Sequence, residues 1–394
     1  MVGRLVFGDL RVQEIRRRGG VRSWTVVAAD GSVHTAADRF LREHEGSGTQ
    51  RTYAYALVDH LRWLERETFD LDRVALTDLE RYMGLLGAEV RIPLGEPWRV
   101  GKRPCGPAAL ATAAACLKGF YKRQAAAGVN EALGRQLDRT RLPSREDRSR
   151  ALLGHVHLVE PSNPLAPRQG PRRRHPKMLP EGAREALLEQ VSTARDRLVV
   201  VWLADAGLRV GELCGLHLVD LHLRENAVCG QCRSPHLHVC DRTGSLNQAR
   251  AKTKHPWQTE RGVLSGGLVK RASPAMIHAY FDYMTSEYPR GQAEHGMLLC
   301  QLRGSQLGEP LSTVAVRRML GRAGKRAGLG AIRPHAFRHS FTTAVLDATN
   351  GNTVIARDAG GWASAATVDE VYGHADVHDP VFEAALRTVW GEPR

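Results

Sequence analysis

Apolar positions change their period along this chain, and each change predicts a different kind of element. Residues 1–38 alternate apolar and polar around Gly19-Gly20 and Asp30-Gly31, the pattern of short strands joined by hairpin turns. From Thr49 the period lengthens, and Tyr53, Leu57, Leu61 and Leu64 fall on one face of a helix. A second helix is predicted from Thr77, which can cap it with Glu80 three residues on. After a Gly/Pro-rich connection at 91–107, residues 108–127 read as a third helix with Leu110, Ala114, Leu117 and Tyr121 on one face.

The second half opens after EPSNPLAPRQGPRRRHPK at 160–177, where proline disfavours regular structure and clustered arginine and lysine demand counter-charge. That segment reads as a basic interdomain linker. Beyond it, Pro180 and Glu181 precede an alanine- and leucine-rich helix, and 198–204 is apolar enough to be a buried one. Strand-like segments at 237–239 and 262–264 interrupt, and helices resume at 274–283, 313–327, 335–347 and 353–359. The expected fold is mainly α with a small antiparallel β-sheet. It divides into a β-rich segment at 1–38, a helical domain at 39–159, the linker at 160–177 and a second domain at 178–394.

Composition narrows the partners. With 394 residues and 42% hydrophobic content, the chain is large enough for two ordinary cores. Its formal charge of +14 favours a polyanion, and the basic residues run through the whole length rather than one tail. Nothing at the start has the order of a secretion signal, and the longest apolar run, 198–204, is far too short for a membrane span. The expectation is therefore a cytoplasmic protein with no membrane partner. Seven cysteines without a secretory context fit reduced thiols.

The candidate chemistry lies in AGLRVGEL at 206–213 and in the stretch from Arg333 onward. Arg209 follows Gly-Leu; His335 and Arg338 are one helical turn apart; Trp362 and then Tyr372 follow. Two guanidinium groups can fork onto the non-bridging oxygens of a phosphodiester, and a phenol can attack it. His335 and Arg338 share a helix face and can converge on one phosphate, whereas His339 is expected to pack against the core.

In these residues the chain resembles the tyrosine recombinase (phage integrase) family. The resemblance implies an N-terminal helical core-binding domain that grips DNA and a C-terminal catalytic domain of the breaking-rejoining type. It implies Tyr372 as nucleophile, Arg209, His335, Arg338 and Trp362 around the phosphate, and Glu212 as a support for its neighbours. A hairpin lysine would protonate the leaving 5′ oxygen, with Lys252 the first choice and Lys254 the alternative. Arg172, Arg173, Arg174, Lys177 and Lys254 are expected to meet the DNA backbone.

The implied activity is site-specific cutting and rejoining through a 3′-phosphotyrosyl intermediate in a mobile-element integrase or transposase. Type IB topoisomerase-like relaxation and a non-catalytic DNA-binding relative are the rivals. The implied partners are double-stranded DNA with specific sites, further copies of the chain up to a tetramer, and accessory DNA-bending or directionality proteins. The apolar stripe of 381–390 is expected to complete its own core or to serve as an exchanged helix. The reaction needs no cofactor. Separately, CGQCRSPHLHVC can supply zinc ligands from Cys229, Cys232, His238 and Cys240, although His-Leu-His-Val also reads as a strand with alternating faces.

Overall fold

The computed structural model describes residues 10–17, 22–88, 103–141, 160–167, 177–362 and 364–372. The chain divides into two compact units, 1–173 and 174–394. Arg172, Arg173, Arg174 and the stripe at 381–390 lie outside the described residues.

In the first unit β1 (Arg11–Arg16) and β2 (Arg22–Val27) form the antiparallel hairpin that the alternation predicts. It is bolted to α1 (Thr35–Arg42), because the Asp38 carboxylate accepts from the Thr25 hydroxyl at 2.7 Å and from the Arg17 guanidinium at 2.6 Å. Leu10 and Val26 enter the same core as the helices α2 (Gly48–Glu67), α3 (Leu76–Gly87) and α4 (Pro107–Ala125). The expected boundary at 38 thus cuts through α1, and the hairpin shares the helical core.

Capping also differs from expectation. Helix α3 begins at Leu76, and Asp78 reaches back to accept from the Ala75 amide at 2.9 Å, so a carboxylate one turn in does the work assigned to Thr77 and Glu80. After α5 (Glu131–Leu137), β3 (Thr140–Arg141) pairs with β4 (Glu160–Pro161). Lys118 Nζ donates to the Ser162 carbonyl at 2.7 Å and Leu165 is buried among the helices. Residues 160–167 are therefore part of the first unit, not linker.

The second unit is built around α7 (Ala194–Ala206), whose residues Leu198 to Leu203 are all buried. A helix apolar all round belongs at the centre of a bundle. It packs against α9 (Pro274–Ser286) and α11 (Pro334–Ala348) and precedes the short α8 (Val210–Cys214). Helix α6 (Ala183–Glu189) flanks it, α10 (Thr313–Arg326) packs on α6 and α8, and α12 (Thr353–Gly360) and α13 (Ala365–Tyr372) follow α11. A three-stranded antiparallel sheet runs β5 (Leu221–His222), β6 (His236–Val239), β9 (Leu268–Arg271), beside a separate hairpin of β7 (Trp257–Glu260) and β8 (Val263–Gly266). The single expected sheet is thus two in this unit. No helix among the described residues is long and apolar enough to cross a membrane.

Two helices of this unit end on a left-handed residue. Helix α7 stops at Gly207, with φ of 57°, and α12 at Gly361, with φ of 68°. A Cβ at Gly207 would lie 2.5 Å from the Phe341 ring, and one at Gly361 would lie 2.5 Å from Leu268 Cδ2. Both positions need glycine for conformation and for space.

Candidate active site

Arg209 is the N-cap of α8, and Glu212 sits one turn into that helix. The Glu212 carboxylate accepts from the Arg209 amide at 2.8 Å and from its guanidinium at 2.5 Å. The oxygen that accepts from the amide, Oε2, also stands 3.7 Å from Arg338 Nη1. Glu212 and Arg338 are fully buried, while Arg209 keeps 26% of its side chain exposed. One buried carboxylate therefore holds two cations together, which offsets the repulsion that would otherwise part them.

Arg338 enters from the second turn of α11. Its Nη1 donates to the Gly207 carbonyl at 3.0 Å and its Nη2 to the Gly361 carbonyl at 2.9 Å, and its guanidinium lies 4.5 Å from the centre of the Trp362 ring. Nε is buried and has no hydrogen-bond partner. Burial, and then the neighbouring charge of Arg209, lower its pKa to about 10, so it stays cationic at neutral pH.

A residue that sequence reasoning missed lies alongside. Lys270, buried on β9, donates from Nζ to the Ala206 carbonyl at 2.8 Å and the Ala359 carbonyl at 2.6 Å. Lys270 and Arg338 therefore clip the same two helix ends through neighbouring carbonyls, where the macrodipoles present partial negative charge. Burial first, and then Arg338, push the Lys270 pKa down to about 7. Nothing in the local sequence signals this, since a lysine in a short strand ordinarily faces water.

The histidines of α11 divide the expected work differently. His335 is exposed, and desolvation followed by Arg338 and Arg209 lowers its pKa. His339 does not pack into the core: it is half-buried, its ring centre is 4.3 Å from that of His335, and its Nδ1 is 2.5 Å from the Tyr372 hydroxyl. Positions 335 and 339 are one turn apart, so the signal is a His-x-x-x-His pair on one face. Desolvation, then His335 and Arg338, lower the His339 pKa to about 4, which leaves the ring neutral. Tyr372, at the end of α13, has its pKa raised by burial, while a Thr342 hydrogen bond and then Arg338 oppose the rise.

Trp362 also departs from expectation. Its indole N–H donates to Thr342 Oγ1 at 3.1 Å, and Thr342 in turn donates to the Arg338 carbonyl at 2.9 Å. The donor expected to face a phosphate is directed into the protein, and the ring serves as a shelf under Arg338, 6.0 Å from the Tyr372 ring. Lys252 and Lys254 are exposed in the strand-free stretch before β7. That stretch is tied to α8 nearby, because Ala251 is in the core and a Cβ on Gly211 would meet the Arg250 carbonyl at 2.5 Å. Lys177 is exposed at the start of the second unit.

The cysteine-histidine motif gathers a different set from the one expected. His222, Cys229, His236 and His238 place one ligand atom each within 4.8 Å of one another, and Cys232 and Cys240 are not among them. Strand pairing is the reason. His222 on β5 lies opposite His236 on β6, which brings in a histidine from outside the motif. Cys240 lies beyond the end of β6, where its Sγ would stand 2.9 Å from a Cβ on Gly267.

Fold and site together define a class: a helical unit that presents a tyrosine and a neutral histidine to two arginines joined through a carboxylate. The phage integrase family model matches residues 177–378, just over half of the chain, and the chain belongs to that family. It is 26% identical over 160 residues to transposase A from transposon Tn554 of Staphylococcus aureus, covering 41% of this chain and 38% of that protein. It is 27% identical over 193 residues to tyrosine recombinase XerC of Staphylococcus saprophyticus, covering 47% of this chain and 54% of that one. The matched regions thus span about two-fifths to one-half of those relatives. The structure of the XerH site-specific recombinase bound to a palindromic difH substrate, a post-cleavage complex, shares the fold, with a TM-score of 0.53, 16% identity and coverage of 87% of this chain and 80% of that one.

Proposed function

We propose that this protein cuts and rejoins double-stranded DNA at specific sites through a covalent link to Tyr372, in the service of a mobile element. The observation that carries the proposal is the Tyr372 hydroxyl held 2.5 Å from the neutral His339, beside the Glu212-linked pair Arg209 and Arg338. The family membership and the likeness to a Tn554 transposase support it.

In this reading the Tyr372 oxygen attacks the phosphorus, and the P–O5′ bond breaks as the O–P bond to tyrosine forms. The phenolic proton goes to His339 Nδ1. Arg209 and the unpartnered Nε of Arg338 stabilise the charge that develops on the non-bridging oxygens, with His335 at the rim as a further donor. Lys252, or Lys254 in its place, protonates the leaving 5′ oxygen. Attack by a 5′ hydroxyl of the partner strand reverses the steps, so bond energy is retained in the protein link and no nucleotide is consumed. Arg172, Arg173, Arg174 and Lys177 fit a role on the DNA backbone, and exchange between two duplexes calls for a tetramer on paired sites, with accessory DNA-bending or directionality proteins setting its direction.

A nicked suicide substrate tests the reading. Wild-type protein should yield a protease-sensitive DNA adduct on a denaturing gel, and Tyr372→Phe should yield none while still shifting the DNA in a native gel. An adduct that persists in Tyr372→Phe refutes the assignment.

A further inference from the structure

We infer that His222, Cys229, His236 and His238 form a closed structural zinc site that anchors the β7–β8 hairpin. Cys229 Sγ stands 3.1 Å from His236 Nε2, and the three imidazole rings lie with centres 4.7 to 5.1 Å apart. Three histidines packed this closely with a thiol need a common partner, because otherwise their ring nitrogens face one another.

The second nitrogens of the rings show which way the lone pairs point. His236 Nδ1 is 2.7 Å from the Ser234 carbonyl and His238 Nδ1 is 2.7 Å from the Gly266 carbonyl. A carbonyl only accepts, so both Nδ1 atoms carry the hydrogen and both Nε2 atoms present lone pairs. This is the arrangement by which backbone carbonyls orient histidine ligands of metals. His238 Nε2 and His222 Nδ1 are buried without a hydrogen-bond partner, and His236 and His238 are fully buried. Unpartnered buried acceptors are costly, and a cation at their focus satisfies them together. One thiolate and three imidazoles in a compact set suit tetrahedral zinc, and four protein ligands leave no open position, which marks a structural site.

The site closes the loop between β5 and β6 at its beginning, middle and end, and it extends further. Gln231, within that loop, accepts from the Gly266 amide at 2.9 Å, while the Gly266 carbonyl holds His238. Gly266 is the last residue of β8. The metal thereby fixes the returning strand of the hairpin that follows Lys252 and Lys254. Removal of the ion should free that hairpin while leaving the apolar face of the sheet, Leu237, Val239 and Leu268, in the core.

Zinc analysis of the full chain, purified without chelator, should find one ion per chain. Cobalt substitution should give the visible bands of tetrahedral Co(II) together with a near-ultraviolet thiolate charge-transfer band. Cys229→Ser should abolish the charge-transfer band and weaken zinc retention by roughly 100-fold or more; Cys232→Ser and Cys240→Ser should keep both. In the wild-type chain, chelation should speed amide exchange in residues 257–266, a readout that does not depend on any variant folding. A wild-type chain that retains no zinc overturns the proposal. So does zinc held as tightly by Cys229→Ser as by the wild type, or zinc that Cys232→Ser or Cys240→Ser removes. These outcomes are independent of DNA cleavage, so the site stands or falls apart from the recombinase reading.

Discussion

The second unit contains two histidine clusters, and the same side chain serves opposite ends in them. On α11, His335 and His339 lie beside guanidinium groups, and His339 shares a hydrogen bond with a hydroxyl that can give up its proton. On the sheet, His236 and His238 are locked by backbone carbonyls and aim their free nitrogens at one point. Burial, and behind it neighbouring positive charge, lowers the proton affinity of His339 and leaves its ring neutral beside that hydroxyl. Neighbouring carbonyls fix a tautomer and leave a ring ready for a cation. The surroundings, not the residue type, separate a proton carrier from a metal ligand.

The largest effect expected from separating the clusters falls on the arginines of the first. Arg209→Ala should slow formation of the covalent DNA adduct by about 100- to 1,000-fold with little change in DNA affinity, because the contact strengthens as charge develops. Arg338→Ala should do the same and also cost about 3–5 kcal/mol of stability, since it strips Glu212 of a buried partner and frees the Gly207 and Gly361 carbonyls. Single-turnover cleavage and chemical denaturation separate the two effects. An affinity loss as large as the rate loss would make the arginines simple binding residues.

His339→Gln should slow adduct formation by about 100-fold, in line with loss of a positioned base. A histidine whose folded pKa of about 4 lies below its unfolded value takes up its proton first in the unfolded chain. The stability linked to His339 is therefore present above about pH 6.5 and lost as the pH falls toward 4, and His339→Gln should flatten that slope. His238→Ala should slow the chemistry far less. If it slows cleavage as much as His339→Gln does, the contrast between the clusters fails.

The effect smallest on cleavage, and felt in stability instead, concerns Lys270. Its folded pKa of about 7 is depressed, so between about pH 7 and its ordinary value of 10.5 the unfolded chain holds more protons, and stability rises with pH across that window. In Lys270→Met that rise should be absent. Denaturant midpoints at a series of pH values for both proteins decide it, and parallel curves would remove Lys270 from the clip.

What the sequence reveals depends on how local each relation is. Arg209 and Glu212 are three residues apart on one helix, as are His335 and Arg338, so spacing alone puts each pair on a common face. His339 is equally local, yet it reads as core because its one-turn relation to His335 is overshadowed by the stronger motif beside it. His222 and Lys270 are beyond such reasoning. Their roles depend on which strand lies next to which, and on carbonyls contributed by helix ends far away in sequence. The first-unit hairpin shows the same limit: its alternation is plain, but its union with α1 rests on Asp38 meeting Thr25 and Arg17.

The double clip on the helix ends also fixes where the molecule can part. Lys270 and Arg338 hold the carbonyls at 359 and 361, and pulling α12 away would strand two buried cations at once. The segment that delivers the nucleophile begins only afterwards, at α13. Any excursion of Tyr372 toward another molecule must therefore pivot beyond Gly361, with α12 staying behind as part of the stationary frame. In the proposed reaction a turn of the attacking group about that point would leave the clip, and the arginine within it, where they are.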